Sequence, residues 1–203
     1  LEQVKYKEYT PEEMVNMAEK EKAIAITYGH TEPTLSLEFN FKAMKAAHRV
    51  NIKNTLVNNG YISEEAVKKM AKFLDAATVN IKASADPEFY RRFASDIKDV
   101  TPLFDALKQM KRQRIFLEIT NLIVPQLGDS IDQCRKLAQW ITTELGSEIP
   151  FHILPFYPEY KMTDLPATPS ATLQKCADEA VKAGLRYVYI DNSIITTGEN
   201  TYC

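Results

Sequence analysis

The chain has 203 residues, 45% of them apolar, enough for one sizeable core and within the length of a single α/β barrel domain. A formal charge of −2 and an isoelectric point near 6.0 give no net attraction to nucleic acid, and Lys108, Lys111, Arg112 and Arg114 read as a solvated helix end. No apolar run approaches the roughly 20 residues of a membrane span, and Leu1-Glu2-Gln3-Val4-Lys5 resembles no signal peptide, so the expectation is a cytoplasmic protein with neither nucleic acid nor membrane as partner.

In chain order, Thr10-Pro11-Glu12-Glu13 opens a helix that runs to about Glu21, with a Thr N-cap, Pro at the first helical position and carboxylates in the first turn. The apolar run up to Tyr28 predicts a strand over Ala23 to Tyr28. The same reading then gives a helix over Leu37 to Val50, a strand over Thr55 to Asn58, a helix over Ser63 to Leu74 and a strand over Ala76 to Lys82. Helices over Pro87 to Phe93 and Thr101 to Lys111 precede a strand over Arg114 to Val124. A helix over Ser130 to Leu145, a strand over Pro150 to Phe156 and a helix over Pro169 to Ala183 follow, and Gly184 sits where a C′ residue belongs. The last strand covers Arg186 to Asp191.

Strands separated by helices over about 20 to 40 residues predict right-handed βαβ crossovers and a parallel sheet. Alternation within the strands selects the architecture. In Thr78-Val79-Asn80-Ile81-Lys82 one face is apolar and the other polar, as it is for Ile115, Leu117 and Ile119 against Glu118 and Thr120. Phe151 and Ile153 likewise oppose His152. A strand central to an open sheet is usually apolar on both faces, so the expectation is an α/β fold, a partial (βα)₆ TIM-like barrel of parallel strands whose inner face is polar.

Ligands in such folds sit outside the carboxyl ends of the strands. The segment Thr27-Tyr28-Gly29-His30-Thr31-Glu32-Pro33-Thr34 closes the first strand there and reads as a binding edge. The polar residues near the six strand ends are His30, Glu32, Asn58, Asn59, Asn80, Lys82, Glu118, Thr120, Asn121, His152 and Asn192. Any one of them could be a structural turn residue, whereas convergence from six strands favours a site. Lys82 is the sharpest, because a lysine on an inner face needs a carboxylate, phosphate or carbonyl group to offset its desolvation; Glu32 or Glu118 could be that partner. His48 reads as an exposed helix residue.

The three cysteines make no disulfide framework. Cys134 and Cys176 have apolar neighbours at helical spacing and read as core, and Cys203 alone lies where a ligand or reactive thiol could be. The chain contains no Cys-x-x-Cys, His-Glu-x-x-His or Gly-x-x-x-x-Gly-Lys-Ser motif, no phosphate-cradling glycine cluster and no nucleophile elbow.

Seven segments nonetheless carry a family resemblance: Tyr9-Thr10-Pro11-Glu12-Glu13, Thr31-Glu32-Pro33-Thr34, Asn59-Gly60-Tyr61-Ile62, Leu74-Asp75-Ala76-Ala77 with Asn80-Ile81-Lys82, Phe156-Tyr157-Pro158-Glu159-Tyr160-Lys161-Met162-Thr163-Asp164-Leu165-Pro166, Gly184-Leu185-Arg186-Tyr187-Val188-Tyr189 and Glu199-Asn200-Thr201-Tyr202-Cys203. In these, nearly end to end, the chain resembles radical S-adenosylmethionine enzymes of the branch similar to pyruvate formate-lyase-activating enzymes and the AmmeMemoRadiSam proteins. The resemblance implies S-adenosylmethionine and a [4Fe–4S] cluster as cofactors. It also implies reductive cleavage to methionine and a 5′-deoxyadenosyl radical that abstracts hydrogen from a substrate or protein glycine, with a protein substrate or electron donor as possible partners.

The family's Cys-x-x-x-Cys-x-x-Cys cluster loop is absent, so the chain is expected to be part of a longer protein whose cluster cysteines lie upstream, and inactive alone. No metal ligand is assigned within it. Carried over by resemblance, Thr31-Glu32-Pro33-Thr34 contacts the methionyl amino group with Glu32 as acceptor, Asn58 and Asn59 lie beside the methionine portion, and Asn80 and Lys82 match an Asp-x-Lys pair with Lys82 facing the carboxylate. Thr120, Asn121 and His152 are implied contacts from the next two strands. Two departures stand out: Gly29-His30-Thr31 lengthens the loop, and Asn80 replaces an aspartate. A Schiff-base aldolase using Lys82, or a non-catalytic binding domain, are the alternatives.

Overall fold

The computed structural model describes residues 7–94, 97–191 and 201. Six strands form one parallel sheet in consecutive order: β1 Ala25–Tyr28, β2 Lys53–Asn58, β3 Ala76–Lys82, β4 Phe116–Ile123, β5 Phe151–Pro155 and β6 Val188–Ile190. Consecutive parallel order is barrel topology, since a doubly wound sheet reverses its order part-way. Among the described residues β1 does not pair with β6, so the barrel is partial. The helices are α1 Pro11–Lys20, α2 Leu37–Arg49, α3 Glu64–Met70, α4 Pro87–Phe93, α5 Thr101–Arg112, α6 Ile131–Trp140 and α7 Ser170–Lys182.

Local signals explain the helix ends. At α1, Thr10 Oγ1 accepts from Glu13 N while Thr10 N donates to the Glu13 carboxylate, a reciprocal capping box. Ser63, Asp86 and Ser130 cap α3, α4 and α6 in the same way from one side. The first strand begins at Ala25 rather than Ala23 and the last pairs only over Val188–Ile190 of the expected Arg186 to Asp191, and two helices differ as well. α3 stops at Met70, because Phe73 N and Leu74 N both turn back to Met70 O, and the chain then reaches β2 through Asp75, which accepts from Asn54 N at 2.9 Å. The helix expected to run to Leu145 is α-helical only to Trp140 and widens to a π-helical turn over Ile141–Leu145, where Thr142 Oγ1 donates back to Ala138 O.

The sheet has two chemically different faces. Leu56, Val79, Ile81, Leu117, Ile119, Ile123, Phe151 and Ile153 point outward into the helix layer and are at most 2% exposed, packing in one core with residues such as Met44, Val67, Leu103, Leu107, Met110 and Leu173. Burial of each such side chain contributes about 1.5–3 kcal/mol. Cys134 and Cys176 belong to that core, as expected, while Asn192 and Cys203 lie outside the described residues. His48 is exposed, with its ring edge on Phe73. Lys111, Arg112 and Arg114 are exposed around the end of α5.

The inner face carries a polar row fixed by register. Asn80 pairs with Thr120, Thr120 with His152 and His152 with Tyr189, so four strands place these side chains in line. The row below the surface of the helix layer reads Ile81, Asn121, Ile153 and Ile190, with Asn121 as its one polar member.

A second buried amide, Asn54, ties three elements together. Its Nδ2 donates to Met44 O (3.1 Å) and Phe73 O (2.9 Å), and its Oδ1 accepts from Tyr28 Oη (3.1 Å). Asn54→Ala leaves two carbonyls and a phenol unpaired in a 0% exposed site, so urea denaturation is expected to show a loss of about 2–4 kcal/mol. A loss below about 0.5 kcal/mol would show that these groups find other partners.

Candidate active site

The segment after β1 leaves the sheet at Gly29, turns at His30 and enters a 3-10 turn over Pro33–Ser36. His30 has φ 73, a left-handed conformation uncommon outside glycine. Glu32 is the hub of this loop. One of its carboxylate oxygens accepts from Thr34 N (3.3 Å) and Thr34 Oγ1 (3.0 Å), and the other accepts from Asn59 N (2.9 Å) in the loop after β2. Glu32 thus latches two strand ends together and keeps one acceptor position, on the oxygen bonded to Asn59 N, since each carboxylate oxygen can accept about two hydrogen bonds.

Asn58 and Asn59 form the turn after β2. Asn58 Oδ1 accepts from Gly60 N (2.8 Å), and Asn59 Oδ1 accepts from Tyr61 N (2.9 Å). Gly60 has φ 83, and a Cβ there would meet Leu103 Cγ at 2.9 Å, so conformation and space both demand glycine. Asn58 is 2% exposed, with its side chain committed to this turn. Asn58 and Asn59, expected beside a ligand's methionine portion, both line the pocket edge, with their side-chain oxygens accepting from backbone amides.

At the end of β3 stand Asn80 and Lys82, both on the inner face. Thr120 Oγ1 donates to Asn80 Oδ1 at 2.6 Å, and among the described residues the Asn80 amide N–H groups take no hydrogen-bond partner. Lys82 forms no ion pair among the described residues. Burial lowers its pKa below the usual lysine value, and the charge of Glu32 opposes that shift in part. His30, Thr31, Glu32, Asn58, Asn59, Asn80 and Lys82, with Val57, line a pocket of about 200 Å³.

His152 lies further around the barrel. Its Nε2 is 3.2 Å from Glu118 Oε2, yet that buried nitrogen is not aligned for a hydrogen bond. Its ring stacks on Tyr189 with centroids 5.0 Å apart. With Glu118, Thr120, Leu154 and Tyr189 it lines a separate, larger cavity of about 620 Å³. Thr120, bonded to Asn80 and lining this cavity, is the link between the two spaces.

Asn121 is the expected site residue that the structure turns away. It is 0% exposed on the helix side, and its Oδ1 accepts from Ser84 N while its Nδ2 donates to Ser84 Oγ. Neighbours in a strand point to opposite faces, so Thr120 and Asn121 cannot both enter the barrel. Tyr189 and Tyr90 are contributors that sequence reasoning passed over. Tyr189 sits on the inner alternate of β6, a signal that was available, whereas Tyr90 Oη reaches Lys82 N (3.1 Å) from α4, which no local pattern announces.

Among the described residues no group of three His, Cys, Asp or Glu side chains could hold a metal ion, and no helix is long and apolar enough to cross a membrane. An iron–sulfur cluster therefore finds no ligand set among them. The pocket presents the Glu32 carboxylate after β1 and, at the end of β3, the Lys82 ammonium and the Asn80 amide donors, the last two without an ion pair or hydrogen-bond partner for those groups among the described residues.

The chain is 38% identical over 202 residues to an uncharacterized protein of Methanocaldococcus jannaschii, a match that covers all of this chain and spans 59% of that relative. Among solved structures, a domain of pyruvate-formate lyase-activating enzyme from Bacteroides vulgatus superposes with a TM-score of 0.70 at 14% identity, covering 83% of this chain and 99% of that one. Streptococcus suis SuiB bound to S-adenosylmethionine superposes with a TM-score of 0.67 at 13% identity, covering 94% and 45%. At such identities the likeness establishes the fold. The family model of the Radical SAM superfamily matches residues 2–141, and the chain belongs to that superfamily.

Proposed function

We propose that this chain binds S-adenosylmethionine at the ends of β1–β3 and takes part in its one-electron reductive cleavage, as part of an enzyme of the glycyl-radical-activating type that takes hydrogen from a substrate or a protein glycine. The observation that carries the reading is the separation of opposite charges. Lys82 and Glu32 line one pocket without forming an ion pair, an arrangement suited to an amino acid whose α-carboxylate meets the lysine and whose α-ammonium meets the glutamate. Each ligand charge then relieves a desolvated partner, which is the condition for burying charge. Asn80 adds neutral N–H donors where a carboxylate at the same position would compete for Lys82.

The electron for cleavage belongs to a [4Fe–4S] cluster, for which the described residues provide no ligands, and the roles of Glu32, Asn80 and Lys82 do not depend on it. These residues bind and orient the methionyl end. Glu32 also holds the loops after β1 and β2 at a fixed distance, so ligand binding meets a preformed edge.

Calorimetric titration of the full-length, anaerobically reconstituted protein with S-adenosylmethionine is expected to show binding that Lys82→Met weakens at least about tenfold, equivalent to about 1.4 kcal/mol. The methyl ester of the cofactor, which lacks the carboxylate charge, should bind both proteins alike. Failure of the cluster-loaded full-length protein to release 5′-deoxyadenosine under reducing conditions would sink the catalytic reading. The lowered pKa of Lys82 also suits a Schiff-base role, and borohydride trapping with carbonyl compounds tests it; no adduct is expected.

Lys82 also predicts a pH effect on stability. Its pKa is lowered on folding, so the unfolded chain holds the proton more tightly, and the penalty for burying the charge is full below the folded pKa and fades as pH rises through it toward 10.5. Lys82→Met should therefore be more stable than the parent at neutral pH, with the difference shrinking by pH 10 in urea melts. A constant difference across that range would contradict the assignment.

A further inference from the structure

Immediately after Lys82 the backbone takes a course that L-residues avoid. Ala83, Ser84 and Ala85 have φ of 47, 54 and 60, three consecutive left-handed residues with no glycine among them. In that conformation Cβ crowds the following carbonyl oxygen, so isolated cases are uncommon and a run of three persists only where its surroundings hold it.

The surroundings do hold it. Asn121 Oδ1 accepts from Ser84 N at 2.8 Å and Asn121 Nδ2 donates to Ser84 Oγ at 2.9 Å, while Gln133 Nε2 reaches Ser84 O at 3.4 Å. Gly128 closes the far side, where an added Cβ would lie 2.2 Å from Ala83 Cβ. On the strand side, Lys82 N donates to Tyr90 Oη at 3.1 Å. Lys82 is thus fixed at its own amide and again two residues on.

Core packing gives no reason for Asn121. It stands in register between Ile81 and Ile153, 0% exposed, where an aliphatic residue would fill the layer without an amide to desolvate. Its polar atoms grip Ser84, with one longer contact from Nδ2 to Cys134 Sγ at 3.9 Å.

We infer that Asn121 is a positioning residue: by holding the left-handed turn Ala83-Ser84-Ala85 it sets where β3 ends and so aims the Lys82 ammonium into the pocket to receive a carboxylate. The inference rests on the reading of Lys82 as the carboxylate-binding group, but its geometry can be measured without that ligand. Groups that titrate and face Lys82 are Glu32 and His30 from the loop after β1 and Tyr90 from α4.

The experiment is lysine acylation of the full-length protein with acetic anhydride across a pH series, read at Lys82 by mass spectrometry, alongside S-adenosylmethionine titration. Asn121→Ala is expected to move the Lys82 acylation midpoint upward toward 10.5, the ordinary lysine value, and to weaken S-adenosylmethionine at least about tenfold. Ser84→Gly alone removes the Oγ contact but keeps the backbone N–H bond to Asn121, so it should change both less than Asn121→Ala does. In the Asn121→Ala background, Ser84→Gly should recover part of both, because glycine adopts the left-handed conformation without being held. Asn121→Leu, which fills the same space with apolar atoms, provides the test if the alanine variant does not fold.

An unchanged Lys82 profile in a folded Asn121 variant overturns the inference, as does a double variant no better than Asn121→Ala. If the parent protein binds no S-adenosylmethionine, the functional reading fails while the acylation series still decides the positioning role.

Discussion

Parallel pairing in consecutive order obliges each strand to give alternate residues to the same two layers, and everything in this molecule is arranged around that alternation. The outward alternates are mostly apolar and meet the helices, with Asn54 and Asn121 as buried polar exceptions. The inward alternates are mostly polar, and register lines up Asn80, Thr120, His152 and Tyr189 across four strands. A shift of one residue in β4 would exchange Thr120 for Asn121 and put Ile119 into the barrel, so register is held by the core and the site inherits it.

The strand ends show how much of a binding edge is structural. Glu32, Asn58 and Asn59 all spend side-chain oxygens on backbone amides of adjacent turns. Carboxylate and amide groups at such places satisfy N–H groups that the sheet no longer pairs, which explains their abundance before any ligand is considered. Glu32 combines that duty with a charge directed to the pocket, and the combination makes the edge rigid.

Charge at the site is separated. Lys82 is held in a partly desolvated place without a bonded counter-ion among the described residues, and the turn that follows it is conformationally unfavourable. Both features oppose folding by modest amounts, and the surrounding aliphatic core, with several fully buried large side chains, offsets them. Unfavourable local features concentrated beside one lysine, within a sheet otherwise consistent with its sequence, are the pattern expected where binding geometry constrains the chain.

The order of elements, the parallel sheet and the polar inner face were legible in the sequence, because period-two and period-3.6 patterns and N-caps such as Thr10, Ser63 and Ser130 act over a few residues. The same local logic placed Lys82 and Asn80 on one face and buried Cys134 and Cys176. It could not divide the strand-end polar residues into those that face a ligand and those that close turns. Thr120 and Asn121 are adjacent and equally polar, and the alternation that puts Ile119 on the helix side sends Asn121 there too, but only the packing of β4 beside the end of β3 gives Asn121 its partner, Ser84. Nor could it show that Tyr90, from the helix just after β3, and Gln133, from α6 far along the chain, fix the end of β3. Such contacts depend on tertiary packing, which brings together atoms that no local periodicity relates.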